Sequence, residues 1–496
     1  MCTFAACMVI IVTVLTYFVA LFMLSRWTSR RATNQSFYRA DRRSPWYMVA
    51  FGMVGASISG VTFVSVPGMV QQSQMTYLQM CLGFVVGYVV VAFILLPLYY
   101  RLNLTSIYTY LGQRLGRRSY LSGAWFFLLS KMTGAALKFY VVCMILQRFV
   151  FDGVGVPFWV NVVGLVLLIW LYTHRGGIKT LVVTDTLQTL CLLTVLLLII
   201  YKVVDGLGMS AGEAVRAVAD NPMSRVFVFD DWQSPHLFWK QFLSGVFIVI
   251  VMTGLDQDMM QKNLTCKTLR EAQKDMCCYG VAFVPVNLLF LSLGVLLTLM
   301  GVNATGDELL PAYVQGAANV QGSLLSKAAE PSAMFEVQCL FSLGIVAASF
   351  STADSALTSM TTSYCIDICQ RPENERLRKV AHGVMCLVFA LFILLFRWVN
   401  STSLLDAIYT MVSYTYGPLL GLFVFGLFTR REPRDGWVPM VCVVSPLLCY
   451  GADALARSLW GYRFGYELLM LNGALTFLGL YISSQDTRSA ASQTPS

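Results

Sequence analysis

Charged residues are scarce in this sequence. Only 12% of its 496 residues are charged and 57% are hydrophobic, whereas an average soluble domain carries roughly 25% charged residues. The mean hydropathy is +0.66. Such a chain cannot cover a soluble surface with polar groups, so its composition excludes a string of soluble domains. Its apolar runs have the length of spanning helices, which predicts an all-α integral membrane protein.

Histidine and metal-site cysteine patterns are also lacking. The chain has three histidines and 14 cysteines, and no close cysteine pair has a histidine or a further cysteine at zinc-site spacing. Neither a nucleophile motif nor a glycine-rich phosphate loop is present. We therefore expect no enzyme activity. The net charge of +9 lies mostly in short loops, so it is expected to set membrane topology and not to bind nucleic acid.

Thirteen apolar stretches are candidate membrane spans. The first, residues 4–24, lacks the basic start of a cleaved signal peptide and is predicted to be retained. Lysine and arginine concentrate in alternate loops, which predicts a multi-pass protein of the cell membrane with its N-terminus outside and its C-terminus in the cytoplasm. The long loops 205–236 and 302–331 then lie outside and can carry short helices. The polar tail, 483–496, is predicted to be disordered.

The second stretch, residues 46–70, is unusually rich in small and hydroxyl side chains. The six near its middle are Gly52, Gly55, Ser57, Ser59, Gly60 and Thr62. Small residues at four-residue spacing are typical of close helix packing. A broken helix is the other interpretation, because carbonyls freed at membrane depth line a cavity or hold an ion. This stretch alone leaves both interpretations open.

The ninth stretch, residues 334–366, carries a face of small and hydroxyl side chains with Asp354 beside it. The residues at i, i+3, i+4 and i+7 are Ala348, Ser351, Thr352 and Ser355. Hydroxyls can bond back to their own helix. So many oxygen-bearing groups in one short segment instead favour a site for a hard cation such as Na+, which prefers oxygen ligands.

Several charged residues fall within or beside the apolar stretches, where they need a partner or an ion. Asp354 lies deep in the ninth stretch, and Asp185, near the start of the sixth, is either a second buried acid or the mark of an interfacial helix start. Acids at the ends of stretches are expected to be capping or topological residues, namely Asp256, Asp258 and Asp367. Lys131 and Lys138 lie two turns apart on the fourth stretch. Either both lysines pair with these acids, or Lys138 contacts a carboxylate on a substrate.

Four motifs in order resemble the sodium:solute symporter family, whose members carry sugars, proline, pantothenate, iodide or sialic acid. They are GGIK at 176–179 with Thr184, Asp185 and Gln188, GLDQDMMQ at 254–261, STADS at 351–355, and YGPLLG at 416–421. The resemblance covers nearly the whole chain and is strongest to the bacterial sialic-acid members.

The resemblance implies a LeuT-type fold with two five-helix repeats of inverted topology. The first helix of each repeat, in spans two and seven, would be discontinuous. One N-terminal and two C-terminal helices would be additions. The implied division is 1–45 (extra helix and basic loop), 46–205 (first repeat), 206–236 (external loop), 237–429 (second repeat), 430–482 (two extra helices) and 483–496 (tail).

The resemblance also implies ion ligands. A Na+ site between the first and eighth core helices would use Gly55, Ile58, Ala348, Ser351 and Thr352. In some sialic-acid members a further Na+ site uses an aspartate on the fifth core helix. The matching positions here are Asp185, Asp354 and Ser355, together with Ser351.

For the solute, the resemblance implies a site formed by hydroxyls and one basic residue. The implied contacts are Ser57, Ser59, Thr62, Gln79 and Lys138. Because no amide or acid lies among the first three, the expected solute is an acidic sugar such as sialic acid, or another organic anion. A lysine provides a point charge where the family favours the two-pronged grip of arginine.

The sequence thus predicts a Na+-coupled symporter that imports a small organic solute by alternating access. Its expected partners are that solute, Na+ and the lipid bilayer, without nucleic acid and without an obligatory protein partner. The alternative is a proton-coupled symporter of the same fold for a neutral sugar or amino acid. An ion channel and a membrane enzyme are weaker alternatives.

Overall fold

The structure, a computed structural model, describes residues 4–30, 32–230, 232, 234–316, 331–397, 404–462 and 464–485. Most of the tail that we predicted to be disordered therefore lies outside the described residues. Its first part is ordered: Ser484–Gln485 (β2) pairs antiparallel with Glu432–Pro433 (β1).

Helices dominate the described chain. The long helices and half-helices, in chain order, are α1 (Phe4–Thr28), α2 (Trp46–Ser57), α3 (Gly60–Ser73), α4 (Tyr77–Arg101), α5 (Arg117–Leu146), α6 (Phe158–Gly176), α7 (Ile178–Gly206), α8 (Phe238–Gly254), α9 (Gln257–Asn263), α10 (Leu269–Leu299), α11 (Pro331–Ser363), α12 (Glu375–Phe396), α13 (Leu404–Phe428), α14 (Val438–Trp460) and α15 (Leu468–Ile482). Shorter helices lie in the connections, at Asn34–Arg39, Thr109–Arg114, Ala211–Ala219 and Leu309–Val314. The last two are in the long loops where short helices were expected.

These helices overlap all thirteen predicted stretches. Among the described residues, ten helices are long and apolar enough to cross a membrane, and two bent pairs raise that number to twelve if each pair is one span. The remaining apolar helix, α15, has 15 residues. The multi-pass all-α class is therefore confirmed, whereas thirteen crossings stays a prediction.

Both predicted helix breaks are present. The pair α2 and α3 bends by 63°, and the pair α8 and α9 bends by 69°. At the first break α2 ends at Ser57, Ile58 is extended, and the Ser59 hydroxyl caps α3 by accepting from the Thr62 amide. At the second break the Asp256 carboxylate caps α9 by accepting from the Asp258 amide at 2.8 Å. Such caps satisfy backbone donors where each half-helix begins.

The first break also packs closely, so the two interpretations of its glycines are both correct. Helix α7 packs against α2 and α11 at the centre of the bundle. A Cβ at Gly55 would lie 2.0 Å from the Thr189 hydroxyl, and one at Gly60 would lie 2.5 Å from the Ser349 hydroxyl. Glycine is needed here because the neighbouring helices leave no room for a side chain.

Candidate ion and solute site

The two breaks border one central cavity of about 110 Å³. Its wall comes from both halves of each broken helix and from α4, α5, α10, α11 and α13. Its polar lining includes Ser57, Ser59, Thr62, Ser130, Lys131, Lys138, Thr253, Asp256, Asp258, Tyr279, Thr352 and Tyr416. A polar cavity beside broken helices is the arrangement in which transporters hold ions and solutes.

Thr352 joins α11 to the first break. Its hydroxyl lies 3.2 Å from the Ala56 carbonyl oxygen and 3.2 Å from the Ala348 carbonyl oxygen, and it can donate to either. Gly55 and Ile58 flank this turn of α2. The junction combines backbone carbonyls and a hydroxyl at the negative end of a half-helix dipole. These residues fit Na+, because carbonyl and hydroxyl oxygens are the ligands of hard cations.

Ser351 faces a different cluster from its neighbour Thr352. Its hydroxyl donates to Asp185 Oδ1 at 2.8 Å. The other carboxylate oxygen, Oδ2, lies 2.7 Å from Lys262 Nζ, and the two side chains are only 1% and 2% exposed. The structure thus divides the predicted ligands between the Ala56 junction and an ion pair on α7.

Lys262 is a buried charged residue that sequence reasoning missed. It lies near the end of α9 and is buried, whereas the distribution of lysine and arginine among loops does not register depth. A usable signal was present, because Lys262 follows Asp258 by one helical turn. A lysine at that depth needs an acid, as Asp185 needs a cation.

Asp354 and Ser355, the remaining residues of the predicted second Na+ site, are also buried. Tyr172 donates its hydroxyl to Asp354 Oδ2 at 2.6 Å. Asp354 Oδ1 and the Ser355 hydroxyl have no hydrogen-bond partner within the described ranges. Asp354 therefore has a buried oxygen that remains open to a further ligand.

The two lysines of α5 differ in their surroundings. Lys131 Nζ lies 2.6 Å from Asp258 Oδ2 and 3.1 Å from Asp256 Oδ2, so the pairing interpretation holds for this lysine. Tyr416 also donates to Asp256, at 2.7 Å. Asp256 is thus a cap, as expected, and a member of a buried charge cluster as well. Lys138 lines the cavity and forms no ion pair in the part of the chain that the structure describes.

Ser57, Ser59 and Thr62, the hydroxyls of the first break, line the cavity, and their contact with a solute stays a prediction. Ser57 is hydrogen-bonded to the hydroxyl of Tyr279, which accepts from Tyr88 at 2.7 Å. Sequence reasoning missed Tyr279, because an aromatic residue among the apolar residues of α10 carries no local signal of a polar role.

Gln79 lies away from this lining. Its amide donates to the His236 carbonyl at 2.9 Å and its oxygen accepts from the Val228 amide at 3.1 Å. Both ends of the side chain therefore hold the segment before α8 against α4.

Solved structures share this fold. A Na+-coupled sialic acid symporter in a substrate-bound, outward-open state superposes with a TM-score of 0.77 over 96% of this chain and 98% of that chain, at 19% identity. The predicted LeuT-type fold, with its two broken helices, is thereby confirmed.

The chain belongs to the sodium:solute symporter family, whose model matches residues 37–439. It is 25% identical to the sodium/iodide cotransporter of Homo sapiens over 86% of this chain, and it spans only 64% of that relative. It is 24% identical to the sodium/sialic acid symporter SiaT of Proteus mirabilis over 88% of each chain. Family membership confirms a multi-pass transporter class and not an enzyme class.

Proposed function

We propose that this protein is a Na+-coupled symporter that imports a small organic anion by alternating access. The observation that carries the proposal is the junction of Thr352 with the Ala56 carbonyl, where a hydroxyl-rich helix closes on a broken one beside the cavity. Na+ bound there would hold α2 and α11 together. Its departure would allow the segments 46–205 and 237–429 to separate and release the solute.

The proposed Na+ ligands are oxygens at this junction. They are the carbonyls of Gly55, Ile58 and Ala348 and the hydroxyl of Thr352, whereas the Ser351 hydroxyl, also expected at this site, donates to Asp185. These groups are neutral, so a monovalent ion can bind and also leave, as a transport cycle requires. The membrane potential adds about 2.3 kcal/mol per charge per 100 mV to the driving force of an inward Na+ gradient.

The proposed solute is anionic because Lys138 brings an ammonium to the cavity and forms no ion pair with any acid that the structure describes. Ser57, Ser59 and Thr62 supply hydroxyls on the wall formed by the first break. Both relatives described above are named for anions, iodide and sialic acid. The cavity is smaller than the roughly 300–1,000 Å³ typical of pockets for drug-sized ligands, which favours a small carboxylate or a site that enlarges on opening.

We also place the protein in the plasma membrane with its N-terminus outside and its C-terminus in the cytoplasm. The support is the concentration of lysine and arginine in alternate loops. The bilayer is its environment, and the proposal includes no obligatory protein partner.

Uptake into proteoliposomes tests the proposal. An inward Na+ gradient, compared with an equal K+ gradient, should drive accumulation of at least one solute in a panel of sialic acid, monocarboxylates, iodide and neutral sugars. Thr352→Val removes one ligand while keeping the shape of the side chain. It should raise the half-saturating Na+ concentration by roughly tenfold or more, since a hydrogen bond or ligand contact is worth about 1–3 kcal/mol.

Thr133→Val is the matched control, because the Thr133 hydroxyl bonds only to carbonyls of its own helix at Leu129 and Ser130. Its Na+ dependence should equal that of the parent. Currents without coupled solute uptake would indicate a channel instead.

One observation supports a second candidate, proton coupling. Asp354 is buried with one open oxygen and forms no ion pair among the described residues. A carboxyl in that position can carry a proton. Uptake that follows an imposed pH gradient and is the same in Na+ and K+ would select this candidate.

A further inference from the structure

We propose that Lys262 supplies a built-in cation at the position of the predicted second Na+ site, so that a single Na+ accompanies each solute. The inference rests on the proposed symport function and concerns its ion stoichiometry. It comes from the contacts of Asp185, the carboxylate on which that second site depends.

Both oxygens of Asp185 already have a partner. Oδ2 lies 2.7 Å from Lys262 Nζ, and Oδ1 accepts from the Ser351 hydroxyl at 2.8 Å. The charged groups are 1% and 2% exposed, so water does not screen them. A Na+ at this carboxylate would have to displace the ammonium or bind directly beside it, where two like charges repel strongly.

The other acids near Lys262 do not compete for it equally. Asp258 has its own cation, since Lys131 Nζ lies 2.6 Å from its Oδ2. Asp354 forms no ion pair among the described residues, and its Oδ2 accepts instead from the Tyr172 hydroxyl at 2.6 Å. The ion pair of Lys262 is therefore assigned to Asp185.

The position of the Lys262–Asp185 pair indicates what the covalently attached ammonium of Lys262 would do. Lys262 ends α9, Asp185 lies on α7 and Ser351 lies on α11. The Asp185 carboxylate, which contacts both Lys262 and Ser351, thus connects three elements, and two of them, α7 and α11, carry the predicted ligands of an ion at this site. Because the ammonium is covalently attached, the connection does not depend on the Na+ concentration outside or inside. The proposal therefore assigns sensitivity to Na+ to the Thr352 junction.

The stoichiometry of the parent protein is the first test. The ratio of ²²Na+ to solute flux in proteoliposomes should be about one, and the Hill coefficient for Na+ should be about 1. Na+-dependent uptake with a ratio and a Hill coefficient near 2 overturns this inference while leaving the symport function intact. Uptake that is indifferent to Na+ overturns the symport function, and the inference with it.

Removing the tethered cation is the second test. Lys262→Ala vacates the ammonium position and leaves Asp185 unpaired, so a second Na+ should enter. We expect the Hill coefficient to rise toward about 2 and NaCl to raise the thermal stability of the variant more than KCl does. The double variant Asp185→Asn with Lys262→Ala carries no charge at the site and should lose both effects.

Lys179→Ala is the matched control, because it removes a lysine from a partly exposed ion pair with Asp41. Its Na+ dependence should equal that of the parent. If Lys262→Ala keeps the parent's Hill coefficient and gains no Na+-specific stabilisation, Asp185 does not accept a cation in place of Lys262 and the inference is wrong. A variant that fails to fold leaves the decision to the flux ratio of the parent.

Discussion

At the scale of single residues, three buried or half-buried lysines have three different environments. Lys131 is shared by two aspartates, Lys262 is paired with one, and Lys138 has no acid partner in the described structure. An ammonium at membrane depth is costly unless it is neutralised or functional. The unpaired lysine that lines the cavity is therefore the residue from which a preference for anions follows.

The variant Lys138→Gln should impair the transport of anions selectively. A hydrogen bond to a charged group is worth about 1.5–3 kcal/mol, so KM for an anionic solute should rise by roughly tenfold to a hundredfold. Initial uptake rates measured over a range of solute concentrations provide the KM. Lys202→Gln, which removes the lysine of a partly exposed pair with Glu336, is the control. An equal loss for neutral and anionic solutes would instead indicate a structural role for Lys138.

At the scale of elements, each half-helix break is held by its own polar contacts. Ser59 caps α3 at the first break, and Asp256 caps α9 at the second. Lys131 then connects α5 to the second break through Asp256 and Asp258. Carboxylates at the start of α9 also interact favourably with its dipole. The bend in α8 and α9 is thus stabilised by charge as well as by packing.

Removing the lysine from the cluster of Lys131, Asp256 and Asp258 should destabilise the protein. Lys131→Met leaves two buried carboxylates without a cation, and loss of one partner of a buried pair costs about 3–5 kcal/mol. Thermal denaturation in detergent should show a clear fall in the midpoint. The triple variant Lys131→Met, Asp256→Asn and Asp258→Asn carries no charge at these three positions, so its midpoint should return most of the way to that of the parent. A triple variant no more stable than the single one would contradict the electrostatic explanation.

At the scale of the whole molecule, the two breaks border one cavity, and α7 and α11 bring a second charged cluster close to the first break. The two breaks, α7 and α11 are far apart in the chain, but together they form one polar centre within an apolar bundle. The direction of transport depends on how this bundle is oriented in the bilayer.

Labelling of added cysteines checks the proposed orientation. Glu213→Cys is in the exposed helix Ala211–Ala219 and should react with a membrane-impermeant maleimide on intact cells. Lys379→Cys replaces an exposed lysine near the start of α12 and should react only after permeabilisation. The quantity measured is the labelling of each variant above that of the parent protein, because native cysteines of the chain can also react with the maleimide. The opposite pattern would reverse the proposed topology.

Sequence reasoning was most successful where the signal was local. The glycines and hydroxyls near Ser57 predicted a break or a close contact, and both are present. It was least successful for Lys262, because a count of basic residues by loop does not register depth. Sequence reasoning missed Tyr279 for a related reason, since only its contact with Ser57 shows its polar role.

The sequence by itself determined the membrane class, the helical stretches and, through its motifs, the resemblance to the family, which in turn implied the two discontinuous helices. These follow from composition, from apolar run length and from short motifs, all of which are properties of neighbouring residues. Only the tertiary structure decided which lysine neutralises which acid, that Ser351 and Thr352 serve different clusters, and that Gln79 lies outside the cavity lining. Those outcomes depend on distances between residues far apart in the chain, and the free energy of a buried charge is set by such distances.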